Sequence, residues 1–518
     1  MSRSHHPLNN DTKQPRPIQQ AWQSLTIPIR ACKRRYLPLL MIYFAYGAST
    51  FITIADSFFV KEKLGFSATT IMSIGVWLSL PWTIKMVFGQ FVDSIRVFHS
   101  NRLSYILIAA SLMMLSSLLL AGLAGQWSWV IHLGTVHQLY LTAMLINVIG
   151  VVLQDVVADA MSVEVVERDH RSEKDITHDL AMVQLLGRIS LSCALFLVAG
   201  LSGWLAQHLS YQTMYLLTLI IPCISISGCL LVKLEQTQTK PLKKNIFFGG
   251  MLFGGFIIGM GIFQVPYNQE WIFLVSLAAI SYFLFSITQD VTKQTKRRIA
   301  IAAIVIFIFR AMPGVGPGLQ WWQIDVLGFN KAFFGTLAQI GAGLAIVGMW
   351  ILAKYVTEKS IAWIFIVLTL ITSILSLPVL GMYYGLHHWT EATFGFGAHT
   401  IALVDTALAS PFAQLSMIPM LTLIAVNAPK GNAATWFALM ASLMNLALTA
   451  GSLLSKWMNH IWIVSREIKN SAGVITTAAN YSHLGTLIWI SLLAGLIIPI
   501  ASIVILMRDD LARKKTSH

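Results

Sequence analysis

Fourteen apolar runs, each long enough to cross a bilayer, leave this chain few alternatives to a bundle of membrane-spanning helices. They cover about 37–58, 68–92, 103–124, 137–162, 180–205, 211–232, 246–265, 270–288, 299–322, 333–355, 361–383, 400–426, 432–457 and 484–507. A spanning helix needs about 20 mostly apolar residues. The 518 residues are 56% hydrophobic and only 11% charged, against about 25% charged in soluble domains. Residues 1–36 are polar and basic, with prolines at 7, 15, 17 and 28, and read as a disordered tail outside the bilayer. Residues 508–518 read as a second basic tail.

Six ionisable residues interrupt these runs: Asp56, Lys85, Asp155, Asp159, Arg188 and Arg310. A charge at the bilayer centre costs about 2.5 to 3.5 kcal/mol even on lenient insertion scales. Such residues face a cavity, pair with one another, or lie on the path of ions and solutes. The pattern therefore points to transport.

Basic residues set the expected sidedness. With the N-terminus inside, the inner segments gather Arg30, Lys33, Arg34, Arg35, Arg96, Arg102, Arg168, Arg171, Lys174, Lys240, Lys243, Lys244, Arg297, Arg298, Lys514 and Lys515, among others. The outer segments hold only Lys61, Lys63, Lys331, Lys456, Arg466 and Lys469. Both termini are expected in the cytoplasm, with the chain in the plasma (inner) membrane. The net charge of +14 follows from this orientation and needs no nucleic-acid partner. Cys32, Cys193, Cys223 and Cys229 form no disulfide framework, and neither a metal site nor a cofactor is read from the sequence.

The runs fall as six, two and six. Leu64-Gly65-Phe66 separates spans 1 and 2, and Leu327-Gly328-Phe329 separates spans 9 and 10. A repeat with two six-helix halves is the architecture of the major facilitator fold. The expected fold is therefore all-α and polytopic, with halves over 37–232 and 299–507. The segment 233–298 supplies two extra helices between them, expected to be structural.

Asp155 and Asp159 are four residues apart and share a helix face. Two carboxylates on one buried face repel, so at least one should hold a proton, the property a proton-coupling site needs. An ion pair with Lys85 or Arg188 is the structural alternative. Lys85, Arg188 and Arg310 could hold an anionic substrate, with Arg suited to bidentate carboxylate contact. Asp56 is expected to oppose Arg310 across the cavity. Pro313, Gly314, Gly316, Pro317 and Gly318 should break span 9 near the membrane centre, a common substrate site. Gln320, Trp321 and Trp322 follow and could meet a planar ligand or form an interfacial belt. Gly89 and Asp93, with Arg96 and Arg102 behind them, read as a gate latch, and Glu164 ends span 4 beside it. Asp405 and the histidines 387, 388 and 399 are further candidates, the histidines being expected as solvated loop residues rather than metal ligands.

Four segments resemble the folate–biopterin transporter family. They are Leu80-Pro81-Trp82 with Lys85, Gly89, Asp93, Arg102 and Tyr105; then Asp155 to Ala160 with Val163 and Glu164. The third is Phe309-Arg310-Ala311-x-Pro313 with Leu327-Gly328-Phe329 and Phe334-Gly335. The fourth is Pro419-Met420-Leu421 with Pro429-x-Gly431, Ala434-Thr435, Ser442 and Asn445. The resemblance implies proton-linked movement of folates or pterins, with Lys85, Asp155, Asp159, Arg188 and Arg310 as its core. The loop before span 13 lacks the family's acidic residue, since Asn432, Ala433 and Ala434 follow Gly431. The Arg-Arg pair before span 3 is reduced to Asn101-Arg102. Gln154-Asp155 also fits muropeptide and acetyl-coenzyme A permeases. An intramembrane enzyme would need a second acidic cluster, and a non-transporting assembly factor is disfavoured by charges in both halves.

Overall fold

The computed structural model describes residues 32–95, 97, 102–166, 173–231, 244–263, 265–289, 292–358, 360–413, 419–420, 423–424, 433–469 and 475–508. Most of both expected tails, the 232–243 linker, Arg96 and the Pro429-x-Gly431 segment lie outside the described residues.

Over the described residues, every expected run coincides with a helix or with consecutive helical pieces. The first half holds α1 (Arg34–Leu64), α2 in two pieces (Ala68–Thr83 and Lys85–Ser94), α3 (Leu103–Ala124), α4 (Val136–Glu164), α5 (Glu173–His208) and α6 (Tyr211–Leu231). Then come α7 (Lys244–Ile262) and α8 (Asn268–Ile287). The second half holds α9 in two pieces (Lys293–Arg310 and Gly318–Asp325), α10 (Lys331–Glu358), α11 (Ile361–Tyr383), α12 (Ala398–Ala413), α13 (Ala433–Ile461) and α14 (Leu484–Leu506). Among the described residues, nine helices are long and apolar enough to cross a membrane by length and composition. The two broken helices, α2 and α9, are not among these nine, and neither are α7, α12 and α13.

Both breaks have local causes. Pro81 sits inside the first piece of α2, where it cannot donate to the preceding turn. The helix yields three residues later, at Ile84, and restarts at Lys85. In α9 the break spans 311–317, where Pro313 and Pro317 withhold donors and Gly316 takes a left-handed φ of 93°. A Cβ on Gly316 would stand 2.6 Å from the Asn459 side chain.

The Leu-Gly-Phe triplets prove to be one structural device used twice. Gly65 and Gly328 both take left-handed φ, 70° and 72°, a turn that favours glycine. Each is followed by a buried ring, Phe66 or Phe329. Setting Gly65 on Gly328 lays the 3-10 segment Ser49–Ile52 of α1 against residues 312–315, inside the α9 break. The two halves are irregular at the same place.

Each half has its own apolar core. One is built around Leu39, Ile42, Ile106 and Met161 and the other around Ile306, Phe365, Trp436 and Met440. The halves meet where α2 runs along α13 and α5 along α10. At the second seam the backbones touch, since a Cβ on Gly203 would lie 2.5 Å from the Gly335 Cα. At the first, Ser79 and Thr449 share a hydrogen bond of 2.7 Å and Asn445 Nδ2 donates to the Trp82 carbonyl at 3.3 Å. That carbonyl is near the break in α2.

The inserted α8 straddles the same seam. Gln269 donates to Ser73 Oγ on α2 at 2.8 Å, while Lys456 on α13 meets Glu270 at 2.5 Å. The all-α expectation holds for the fold, with one short extended pair beside the helices. Outside the helices, β1 (Ile468–Lys469) and β2 (Ile475–Thr477) pair antiparallel in the α13–α14 connection. The run Ile475-Thr476-Thr477 is β-branched and suits an extended backbone.

Candidate functional site

The break in α2 starts a new helix at Lys85. An ammonium at a helix N-terminus meets the positive end of the dipole, which is unfavourable. Two carboxylates from α4 offset this. Lys85 Nζ lies 2.5 Å from Asp155 Oδ2 and 2.6 Å from Asp159 Oδ2. The i, i+4 spacing puts both acids on one face, and the single cation bridges them. Asp155 is the more enclosed, its side chain 15% exposed against 56% for Asp159. One ammonium between two carboxylates leaves a surplus negative charge if both are ionised.

Arg188 on α5 is exposed and, among the described residues, makes no hydrogen bond or ion pair. Its charge, with those of Lys85, Asp155 and Asp159, reaches the hydroxyls of Tyr43 and Tyr46 on α1. Gly187 makes room, because a Cβ there would sit 2.7 Å from the Tyr43 ring. The Tyr46 ring faces Trp82 with centroids 6.3 Å apart and planes tilted by 38°. Both rings are half-buried, so part of each aromatic surface stays open beside the charges. The sequence reading missed Tyr43 and Tyr46. It named Trp82 only as part of a motif, and Leu80-Pro81-Trp82 before a buried lysine was the signal available.

The structure separates Asp56 from Arg310. The Asp56 carboxylate accepts hydrogen bonds from Tyr140 on α4 at 2.8 Å and Tyr215 on α6 at 2.5 Å. It faces a small cavity inside the first half, lined by residues of α1, α3, α4 and α6. The expected opposition to Arg310 across the cleft is replaced by this internal pairing. Arg310 ends the first piece of α9 and is partly buried beside Phe309, whose ring packs on Phe365. Trp321 and Trp322 are both buried. The Arg466 guanidinium covers the Trp321 ring at 5.6 Å, and Trp322 packs on Tyr383. Neither ring is available to stack on a ligand. Gln320 Nε2 donates to Ser57 Oγ at 3.2 Å, a bond between the halves.

At the end of the bundle near the termini, Arg102 is buried and forks onto Glu164. Its Nε and Nη2 lie 3.0 Å and 2.5 Å from the two carboxylate oxygens. Its Nη1 reaches the Val92 carbonyl at 3.2 Å. One guanidinium thus ties the start of α3 to the ends of α2 and α4. Gly89 has open space where a Cβ would sit. The Asp93 side chain lies outside the described residues.

At the opposite end, charges join the two halves. Lys61 pairs with Asp325 at 2.5 Å and Lys331 stands 3.8 Å from Glu62. Tyr481 donates to Asp325 and Tyr211 to Glu62. Burial and the Asp325 carboxylate push the Tyr481 pKa up, so the phenol keeps its proton and remains a donor. With the Gln320–Ser57 bond, this end is closed.

Other candidates separate by geometry. A cavity of about 640 Å³ lies between α2, α7, α8 and α13, but its lining is apolar and carries no charged side chain. An anion has nothing to bind there, so the charged cluster is the better site. His387 is buried, whereas His388 and His399 are exposed, and His399 also packs on Phe329 and Phe333. Among the described residues no group of His, Cys, Asp and Glu is placed to hold a metal. Asp405 on α12 has one buried carboxylate oxygen without a hydrogen-bond partner among the described residues.

The BT1 family profile matches residues 47–518. The folate-biopterin transporter of Synechocystis sp. is 26% identical over 431 residues, covering 82% of this chain and 75% of that protein. Probable folate-biopterin transporter 4 of Arabidopsis thaliana is 25% identical over 451 residues, covering 80% and 86%. Among solved structures, a POT family transporter in complex with 5-aminolevulinic acid superposes with a TM-score of 0.65 at 15% identity, covering 93% of this chain and 96% of that one. That likeness carries the fold, the major facilitator architecture of two six-helix halves.

Proposed function

The chain belongs to the BT1 family, and from that premise we propose that it is a proton-coupled secondary transporter of an anionic small molecule, folate or a pterin, working by alternating access. One observation carries the coupling: Lys85 is bound to Asp155 and Asp159 at once, beside Arg188, which has no ion-pair partner among the described residues. An arriving substrate carboxylate meets Arg188 first. To engage Lys85 as well it competes with the α4 carboxylates. Protonating one of them loosens the lysine and lets the anion take its place. Substrate and proton then favour each other's binding by the same factor. A charge-assisted hydrogen bond of this kind is worth about 1.5 to 3 kcal/mol, or roughly 10- to 100-fold in affinity.

Tyr46 and Trp82 offer aromatic surface for a planar ring next to these charges. Arg310 lies in the second half at the mouth of a broken helix, where a substrate bound between the halves would be touched from both sides. Gly89, Asp93, Arg102 and Glu164 are assigned to gating near the termini, and the Lys61–Asp325 and Glu62–Lys331 pairs to the opposite gate. The basic bias supports cytoplasmic termini and residence in the plasma (inner) membrane. In that orientation the closed end faces outward and the site loads from the cytoplasmic side. Purified protein in liposomes should accumulate labelled folate when the lumen is made alkaline, and should stop when the gradient is collapsed. Uptake that reaches only equilibrium under the gradient would sink the coupling.

A further inference from the structure

We propose that Asp56 and the cavity beside it form a site for a small monovalent cation, Na+ or a proton shared with a water, inside the first six-helix half and apart from the substrate cleft. Asp56 differs from the α4 carboxylates in what compensates it. Two phenols donate to it, from Tyr140 and Tyr215. Among the described residues no Lys, Arg or His nitrogen lies within 4.0 Å of it. An ionised carboxylate in a membrane interior without a positive neighbour is strongly disfavoured. Neutral donors share the charge but do not cancel it, so the balance has to come from a bound cation.

The cavity supplies the place. It measures about 50 Å³, room for one ion or one water. Ser49, Ser116, Ser117, Asn147 and Thr218 line it with Asp56 and Tyr215. Their hydroxyl protons are already committed to backbone carbonyls. Ser49 donates to Tyr46 at 2.6 Å, Ser116 to Ala143 at 2.7 Å and Ser117 to Met113 at 2.9 Å, while the single proton of Thr218 Oγ1 lies between the Tyr215 carbonyl at 2.5 Å and Ser117 Oγ at 2.8 Å. A hydroxyl that has given its proton away has only lone pairs left to offer. Beside an anionic carboxylate, the lone pairs left on these hydroxyls and the amide oxygen of Asn147 suit a hard cation.

The titratable neighbours are few. Tyr140 and Tyr215 contact the carboxylate, and His137 and Tyr211 stand one turn further along the same two helices. Tyr211 is held by Glu62. From α3 come hydroxyls, and from α5 the apolar Ala194, Val198 and Ala206. Ser49 opens the 3-10 segment of α1, so the irregular backbone of that helix borders the site.

The test needs no substrate, so its outcome is independent of the transport reading, on which the site rests only for its use in coupling. Radioactive Na+ binding and thermal unfolding are measured on purified full-length protein, in Na+ against choline, across pH. If Na+ is the occupant, wild type binds it and is stabilised by it. Thr218→Val and Ser116→Ala, which keep the charge, then weaken binding at least about tenfold, as does Asp56→Asn. If the occupant is a proton, Na+ has no effect, and an infrared band of a protonated carboxyl disappears in Asp56→Asn. The proposal is overturned if wild type shows neither Na+ binding nor a carboxyl band removed by that substitution. The two hydroxyl variants keep the test readable should Asp56→Asn fold poorly.

Discussion

Within one half of this transporter, intramembrane carboxylates are compensated in two different ways. On α4, Asp155 and Asp159 share the ammonium of Lys85. On α1, Asp56 leans on two tyrosine hydroxyls. The difference decides what each site can respond to. A lysine between two acids can be claimed by a third anion, so the α4 cluster can answer to substrate. A carboxylate clasped by neutral donors offers nothing to an anion and can answer only to a cation. The second half holds few intramembrane charges to match, chiefly Arg310 and Asp405.

The comparison breaks most visibly if Lys85 is dispensable. Lys85→Met leaves two carboxylates without their cation, and removing one partner of a buried pair costs about 3 to 5 kcal/mol. Folded yield by size-exclusion profile should fall sharply and transport should drop below detection. The double variant Lys85→Met with Asp155→Asn should recover part of the yield, because a charge leaves with its counter-charge. Equal yields for the single and double variants would mean that the bridge is not what holds these side chains.

Next in size, Asp155→Asn should abolish accumulation driven by a proton gradient while exchange of labelled for unlabelled substrate continues. Asp159→Asn should show the same split more weakly, since its side chain is far more exposed. Loss of exchange together with accumulation in both variants would assign the acids to folding or substrate contact instead.

Arg188→Ala should raise the apparent KM for a carboxylated substrate by roughly 10- to 100-fold. A pterin without a carboxylate tail should be little affected. Arg188→Lys should rescue only part of the loss, because the ammonium lacks the forked donor geometry. Equal losses for both ligands would contradict anion recognition at this residue.

The smallest effect is expected at the closed end. Lys61→Ala removes a surface ion pair worth about 0 to 1 kcal/mol. It should raise labelling of a cysteine placed at Gln320 by no more than about fivefold. No change, with an unchanged effect of Asp325→Asn, would show that the helix packing alone holds that end shut.

The fold was largely legible because the bilayer leaves the backbone few options. Run lengths located the helices, and two Leu-Gly-Phe triplets marked the same left-handed turn in both halves. The prolines of span 9 announced its break. Pro81 was equally visible, but the yield point at Ile84, and thus Lys85 at a helix start, depends on how α2 meets α4 and α13. The Asp155–Lys85 pairing was open as one of two readings from sequence. The partners of Asp56, Tyr140 and Tyr215, were not legible because they lie on helices far along the chain, and nothing in local spacing ties them together. Trp321 and Trp322, offered by the sequence either as a surface for a planar ligand or as an interfacial belt, have buried rings, while the approach of Tyr46 to Trp82 is visible only through three-dimensional packing.

The central claim is that the substrate anion competes with the α4 carboxylates for Lys85, so that substrate and proton bind together. Proton uptake on substrate binding measures this directly, in lightly buffered purified protein with a pH dye. The account predicts uptake of about one proton per folate bound, absent in the double variant Asp155→Asn with Asp159→Asn and retained in Asp56→Asn. Folate binding to wild type with no proton taken up, or uptake unchanged in the double variant, would contradict it.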